Sequence, residues 1–312
     1  MSFAQDVKKE VANLKVEEEF LKAEIYGYLK LKSEIVIRNK QIVCEVKTNL
    51  LPIVRRISSI VKTLYKVSVE VLEKKRVNLD KKNIYLVTIS DKCKEILQDL
   101  KIIDEDYNYI EEINEQLDAE SIIRGFFLAK GSINDHQSQR YHFEISCNTL
   151  YEATYLIKKF TEFGIYSKMT QRRGYNVVYI KKAEHIGDAL KVIGANNCLF
   201  DFENERIRRD LNNVVNRIYN CDLANTDKTS KLAAKQLEQI QYIEKHDGFE
   251  SLPVRLMEVV TLRTKNPDAT LQELSDESEN CIGRFLSKSG INHCLKDLEL
   301  KYLAMKAKYG DE

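Results

Sequence analysis

Apolar positions recur at three- and four-residue spacing from about Phe3 to Leu31, which predicts an amphipathic helix over that stretch. Two alternating segments follow, EIVIRN and QIVCEVKT, separated by the turn-like Asn39 and Lys40, and they predict a hairpin. LLPIVRRISSIVKTLY returns to helical spacing. VSVEVLE and NIYLVTI then alternate as strands, and DKCKEILQDLK closes the unit as a helix begun by Asp91. The order is αββαββα or close to it.

After an acidic connector the order recurs. A helix runs through SIIRGFFLA, a strand through YHFEISC and a helix through TLYEATYLIKKFTEF; paired strands then flank a turn at Arg173 and Gly174, and a helix starts at Ala183. Glu45 and Asn49 are answered 99 positions later by Glu144 and Asn148, and Gly27 is answered 98 positions later by Gly125. Two occurrences of one unit imply a pseudo-symmetric two-lobed α+β domain, since a solenoid usually needs three or more. That domain is expected over residues 1–202, with repeats at about 17–102 and 118–198; a polar helical linker covers 203–249 and a second, all-helical domain 250–312.

In the last domain Ser251 is placed to cap a helix carrying Leu256, Val259, Val260 and Leu262, and Asn266-Pro267 stops it. Leu271 and Leu274 mark a shorter second helix, and a third begins at Ser287. On the third, Ile291, Leu295 and Leu298 recur on a core-facing side, which leaves Lys288, Asn292 and Lys296 stacked on another, with Ser289 and His293 beside them. Such a face suits a major groove. Lysines attract phosphates or guanine acceptors, Asn292 can pair with adenine, and Ser289 and His293 can donate to either; the plainer reading is an ordinary amphipathic surface helix.

Charge sharpens this picture only locally. The 49 basic and 48 acidic side chains of the 312 residues leave a net charge of +1, so bulk charge names no partner. Residues 284–308 nevertheless carry six basic and two acidic groups, 158–182 seven and one, and 50–82 nine and three, whereas 104–120 carry eight acids and no base. Arg172 and Arg173, in the second basic stretch, and Arg206, Arg208 and Arg209, at the exit of the first domain, are candidate phosphate contacts. The acidic block reads as a solvated connector, a shield over a basic saddle or a protein-binding strip.

Other chemistry is sparse. The seven cysteines are scattered without CxxC spacing, which predicts reduced thiols in a cytoplasmic protein and neither a zinc nor a redox site. The charged start MSFAQDVKKEVANL is no export signal, and no stretch approaches the ~20 apolar residues of a membrane span. His136, His142, His185, His246 and His293 are dispersed, and no HExxH, GxSxG, P-loop or dinucleotide fingerprint occurs; no catalytic residue, cofactor or small-molecule substrate is expected.

RGFFLAKGSIND resembles the second LAGLIDADG helix of the WhiA family, and AEIYGYLKLKS takes the matching place in the first repeat. NRIYNCDLANTDKTSKLAAKQ is similar to the family's linker signature around Asn220, Cys221, Ala224, Asn225 and Lys228. LPVRLMEVVTLRTKNPDATLQEL and SKSGINHCLKDL are similar to its C-terminal helix-turn-helix. The resemblance implies two αββαββ halves, as in LAGLIDADG homing endonucleases, with paired helices packed through Gly27, Gly125 and Ala129. It also implies a double-stranded-DNA-binding transcription regulator tied to cell division, chromosome segregation or sporulation, associated with the nucleoid, with a sigma factor or division protein as possible partner. Two departures affect the helix-turn-helix: Cys294 stands where the family usually has arginine, and NCIGRFL lacks the expected proline.

A LAGLIDADG nuclease needs an acid near the end of each paired helix to hold divalent metal. The corresponding residues here are Lys32 and Lys130, and Ser33 replaces the glycine expected after the first acid, so the expectation is a protein without nuclease chemistry. An active homing endonuclease and a protein-interaction or nucleoid scaffold remain the alternatives.

Overall fold

A computed structural model describes residues 2–38, 41–74, 83–134 and 140–309; the expected turn at Asn39 and Lys40 and the side chain of His136 lie outside them. By internal contacts the chain divides into residues 1–210 and 211–312.

In the first unit the expected long helix is two: α1 (Phe3–Ala12) and α2 (Glu18–Lys32). Asn13 ends α1 by donating from its side chain to the Lys9 carbonyl at 2.8 Å, and the extended Glu17 starts α2, an interruption that a purely apolar reading passes over. The hairpin β1 (Ser33–Arg38) and β2 (Gln41–Thr48), helix α3 (Leu51–Tyr65), strands β3 (Glu70–Lys74) and β4 (Ile84–Ile89), and α4 (Cys93–Asp99) complete the first half. Asp91 does not begin α4. The preceding residue is Lys92, left-handed at φ 50°, and no side chain caps the helix.

The second half holds α5 (Ala119–Lys130), β5 (Gly131–Ile133), β6 (Phe143–Cys147), α6 (Leu150–Glu162), β7 (Lys168–Arg172), β8 (Tyr175–Ile180) and α7 (Ala183–Ile193). The three-residue β5 is too short to show a sequence alternation. Both sheets are antiparallel with the same order, β1-β2-β4-β3 and β5-β6-β8-β7, so the duplication extends to topology. Thr149 caps α6 in a reciprocal box with Glu152, and Arg173 (φ 51°) and Gly174 (φ 81°) make the β7–β8 turn in the left-handed region.

The halves meet at α2 and α5, whose side chains are buried along nearly their whole lengths. Gly27 and Gly125 make that crossing possible. A Cβ on Gly27 would stand 2.4 Å from the Ile122 carbonyl oxygen, and one on Gly125 would stand 2.2 Å from that of Glu24. Phe126, Phe127 and Leu128 are buried around the crossing. Glu24, buried on α2, receives the Arg56 guanidinium of α3 through two hydrogen bonds of 2.7 and 2.8 Å and lies 3.7 Å from Arg124 of α5, so one carboxylate ties three helices.

Helix α8 (Asn196–Asp247) is a single 52-residue element, and the division between the units falls inside it. The second unit adds α9 (Val254–Lys265), α10 (Leu271–Asp276), α11 (Ser278–Ile282) and α12 (Lys288–Tyr309) around their own core of Ile243, Val259, Leu262, Leu274, Ile291 and Leu298. Ser251 does not cap α9, which starts after Pro253. Its hydroxyl instead donates to Asp247 and accepts from Lys301, tying α8 to α12. The short α11 lies in what the sequence suggests is plain loop; Ser278 there holds the Leu286 amide at 2.9 Å. Among the described residues no helix is long and apolar enough to cross a membrane.

Candidate nucleic-acid interface

Helix α12 starts where Ser287 accepts a hydrogen bond from the Gly290 amide at 3.2 Å. Ile291, Leu295 and Leu298 are 0, 4 and 2% exposed, and Cys294 joins them in the core at 2%. Lys288, Ser289, Asn292, His293 and Lys296 are all exposed on the other side, so the five candidates share one face. Lys288 and Asn292 also border a groove of about 460 Å³ that Thr229 and Gln236 of α8 and Thr270 and Arg263 help to line. Arg263 is buried, donates to the Ala269 carbonyl at 2.6 Å, and is held below its ordinary value by loss of water. Nothing in the sequence marks it, because an arginine in a helix ordinarily faces solvent.

The burial of Cys294 gives a thiol at this position a structural meaning. An arginine at that position would bring a guanidinium toward Ile291 and Leu295, whereas a thiol packs there as a small apolar group.

In the first unit, Arg172 is exposed at the end of β7 and Arg173 is exposed in the turn. The cross-strand register puts Lys168 opposite Tyr179, Thr170 opposite Val177 and Arg172 opposite Tyr175, and Tyr179 in turn opposite Glu144. One face of the second sheet therefore carries Lys168, Thr170, Arg172 and two tyrosines. Lysines lie over rings on this side: Lys130 is 4.5 Å from the Tyr175 centroid and Lys181 is 5.2 Å from that of Tyr179. The alternation in KMTQR was the available signal for Lys168 and Thr170. The matching row of the first sheet runs Glu34, Glu45, Thr88 and Glu70, with Glu34 bridged to Lys47 at 2.7 Å and Glu45 to Arg38 at 2.5 Å.

Arg206, Arg208 and Arg209 lie on α8 in ion pairs with Glu203 at 3.0 Å and with Glu205 at 3.0 and 3.9 Å, and Arg209 also stands over the Tyr141 ring. The acidic connector is folded onto the domain. Glu115 binds Lys158 at 2.9 Å, the Asn114 amide donates to Tyr26, and the Ile110 carbonyl accepts from Lys30. Burial pushes the Lys30 ammonium down to about 8, against the pull of Glu152.

Lys32 and Lys130 are the last residues of the paired helices α2 and α5. Lys130 donates to the Asn148 side chain and is held below its ordinary value by burial and then by the charge of Lys32. Ammonium groups stand at both positions, and an ammonium repels a divalent cation. Among the described residues no three His, Cys, Asp or Glu side chains gather as metal ligands.

Residues 18–103 match the WhiA N-terminal LAGLIDADG-like domain, residues 119–212 the WhiA LAGLIDADG-like domain, and residues 215–301 the WhiA C-terminal HTH domain. Proteins called probable cell division protein WhiA are 40% identical over 304 residues in Bacillus velezensis and 39% in Bacillus subtilis, in each case covering 96% of this chain and 95% of the relative. The crystal structure of full-length DUF199/WhiA from "Thermatoga maritima" shares the fold at a TM-score of 0.59 and 23% identity, covering 97% of this chain and 99% of that one. Three successive domain matches and near-full-length identity of about 40% establish that the chain belongs to the WhiA family.

Proposed function

We propose that this protein is a sequence-specific double-stranded-DNA-binding regulator acting in cell division, associated with the nucleoid and without nuclease activity. The observation that carries the reading is α12, where Lys288, Ser289, Asn292, His293 and Lys296 are exposed together while Ile291, Leu295 and Leu298 fix the helix from behind. The helix-turn-helix match and the cell-division names of the relatives support it. Arg172 and Arg173 are the better phosphate contacts of the first unit, because Arg206, Arg208 and Arg209 already hold carboxylates. Transcription control of division, chromosome-segregation or sporulation genes is the finer form of the same proposal.

A salt series of affinities for the preferred duplex and for unrelated duplex tests it. Lys296→Ala weakens binding to both and lowers the salt slope by about one unit, whereas Asn292→Ala costs about 1 to 3 kcal/mol mainly on the preferred site. Parent-like binding of both variants at every salt concentration removes α12 as the reader. Lysines at the ends of α2 and α5 support the absence of nuclease chemistry. Nuclease-free protein leaves duplex DNA intact with Mg²⁺ or Mn²⁺; metal-dependent cleavage at a defined site would restore the endonuclease reading.

A further inference from the structure

The two halves of the first unit differ at one place where their symmetry predicts a match. In the second half Glu152 is buried, its Oε2 accepts from the Asn148 and Thr149 amides at 2.6 and 3.1 Å, and its charge favours the protonated forms of Lys30 and Lys130. The offset of 99 that relates Glu45 to Glu144 and Asn49 to Asn148 relates Ile53 to Glu152. The first half therefore has an apolar residue where the second has the counter-charge.

Ile53 lines a cavity of about 310 Å³ whose rim carries Lys8 of α1, Lys32 of α2, Lys47, Thr48 and Asn49. Lys47 is bridged to Glu34, but neither Lys8 nor Lys32 forms an ion pair among the described residues. Both are half-buried. Burial and then the charge of Lys32 push Lys8 down to about 8, and Lys130, next to the lining residue Ala129, is lowered in the same way. Lys32 thus works against both Lys8 and Lys130 beside a pocket whose other wall is apolar and whose matching carboxylate is missing. Uncompensated charge out of water is unfavourable, and an anion in the pocket relieves it.

We propose that Lys8, Lys32 and the end of β2 with the following Asn49 form a binding site for a phosphate group, with the ligand supplying the negative charge that Glu152 supplies in the other half. A tetrahedral phosphate offers enough acceptor oxygens for two ammoniums together with the Asn49 side-chain amide. The cavity accommodates a phosphate or pyrophosphate, either free or on the backbone of a nucleic acid. The site does not depend on α12 reading DNA.

The test uses the full chain and two probes at matched ionic strength, sodium pyrophosphate and a duplex of unrelated sequence. Pyrophosphate raises the melting temperature of the parent beyond the effect of chloride, and Lys8→Met and Lys32→Met each melt higher than the parent in phosphate-free buffer and lose that response. A purely structural role for these lysines predicts the opposite change in buffer. If the same variants also lower the salt slope for the duplex by about one unit, the source is a backbone phosphate; if only the pyrophosphate response is lost, it is a free phosphate compound. The α12 variant Lys296→Ala keeps the pyrophosphate response in either case. Variants that respond to both probes like the parent overturn the site, as does a parent whose melting and salt slope owe nothing to either lysine.

Discussion

The crossing of α2 and α5 leaves no room for a methyl group. Gly125→Ala sets a Cβ against the Glu24 carbonyl and the Tyr28 amide at 2.2 and 2.7 Å, both backbone atoms that cannot rotate away. The helices must separate, and the change lowers stability by roughly 3 kcal/mol, read as a drop in melting temperature. A melt unchanged from the parent would mean that the helices do not cross there. Lys30 makes a different prediction, about pH. Its folded value of about 8 lies below the ordinary 10.5, so between those values the folded chain has released a proton that the unfolded chain still holds. Stability due to this group therefore rises as pH increases through that window, starting near 8. Denaturant melts of the parent and Lys30→Met from pH 7 to 10 show the difference moving in the parent's favour, and a difference independent of pH refutes the assignment.

At the scale of elements, α12 separates two roles that one helix combines. Leu295→Ala removes a buried side chain and costs about 2 to 5 kcal/mol of stability, with DNA affinity falling only as far as the unfolded fraction rises. Lys296→Ala, exposed one position later, leaves the melt unchanged. Equal melts for the two would place α12 outside the core. Its inner and outer faces were legible because Ile291, Leu295 and Leu298 obey helical spacing without exception. Helix starts were less legible. Asp91 and Ser251 have the right chemistry for caps, but Lys92 takes a left-handed conformation and Ser251 is drawn to Asp247 and Lys301, contacts set by distant parts of the chain. The same limit hid the cavity at Lys8, whose neighbours come from four separate segments. Only the offset between Glu152 and Ile53 could have pointed to it.

The molecule has two cores that share no residue, one ending at Phe202 and the other beginning at Ile240. A fragment of residues 1–202 keeps the whole of the first, including the stacking of Phe202 on Phe3 at 6.4 Å, and it unfolds in a single cooperative transition by circular dichroism. A broad, non-cooperative melt would show that the first unit needs the rest of α8. Within that unit the shared strand order hides an inequality of surface. Across the first sheet, Lys47 and Arg38 are engaged by Glu34 and Glu45; across the second, Lys168 and Lys181 rest against the tyrosine rings of Tyr166 and Tyr179 and keep their charge available. Two identical halves would meet a polyelectrolyte alike from either end and could not distinguish its directions. These halves do not, so the domain has a head and a tail: the sheet of the second half keeps positive charge available where the sheet of the first has already spent its own on carboxylates.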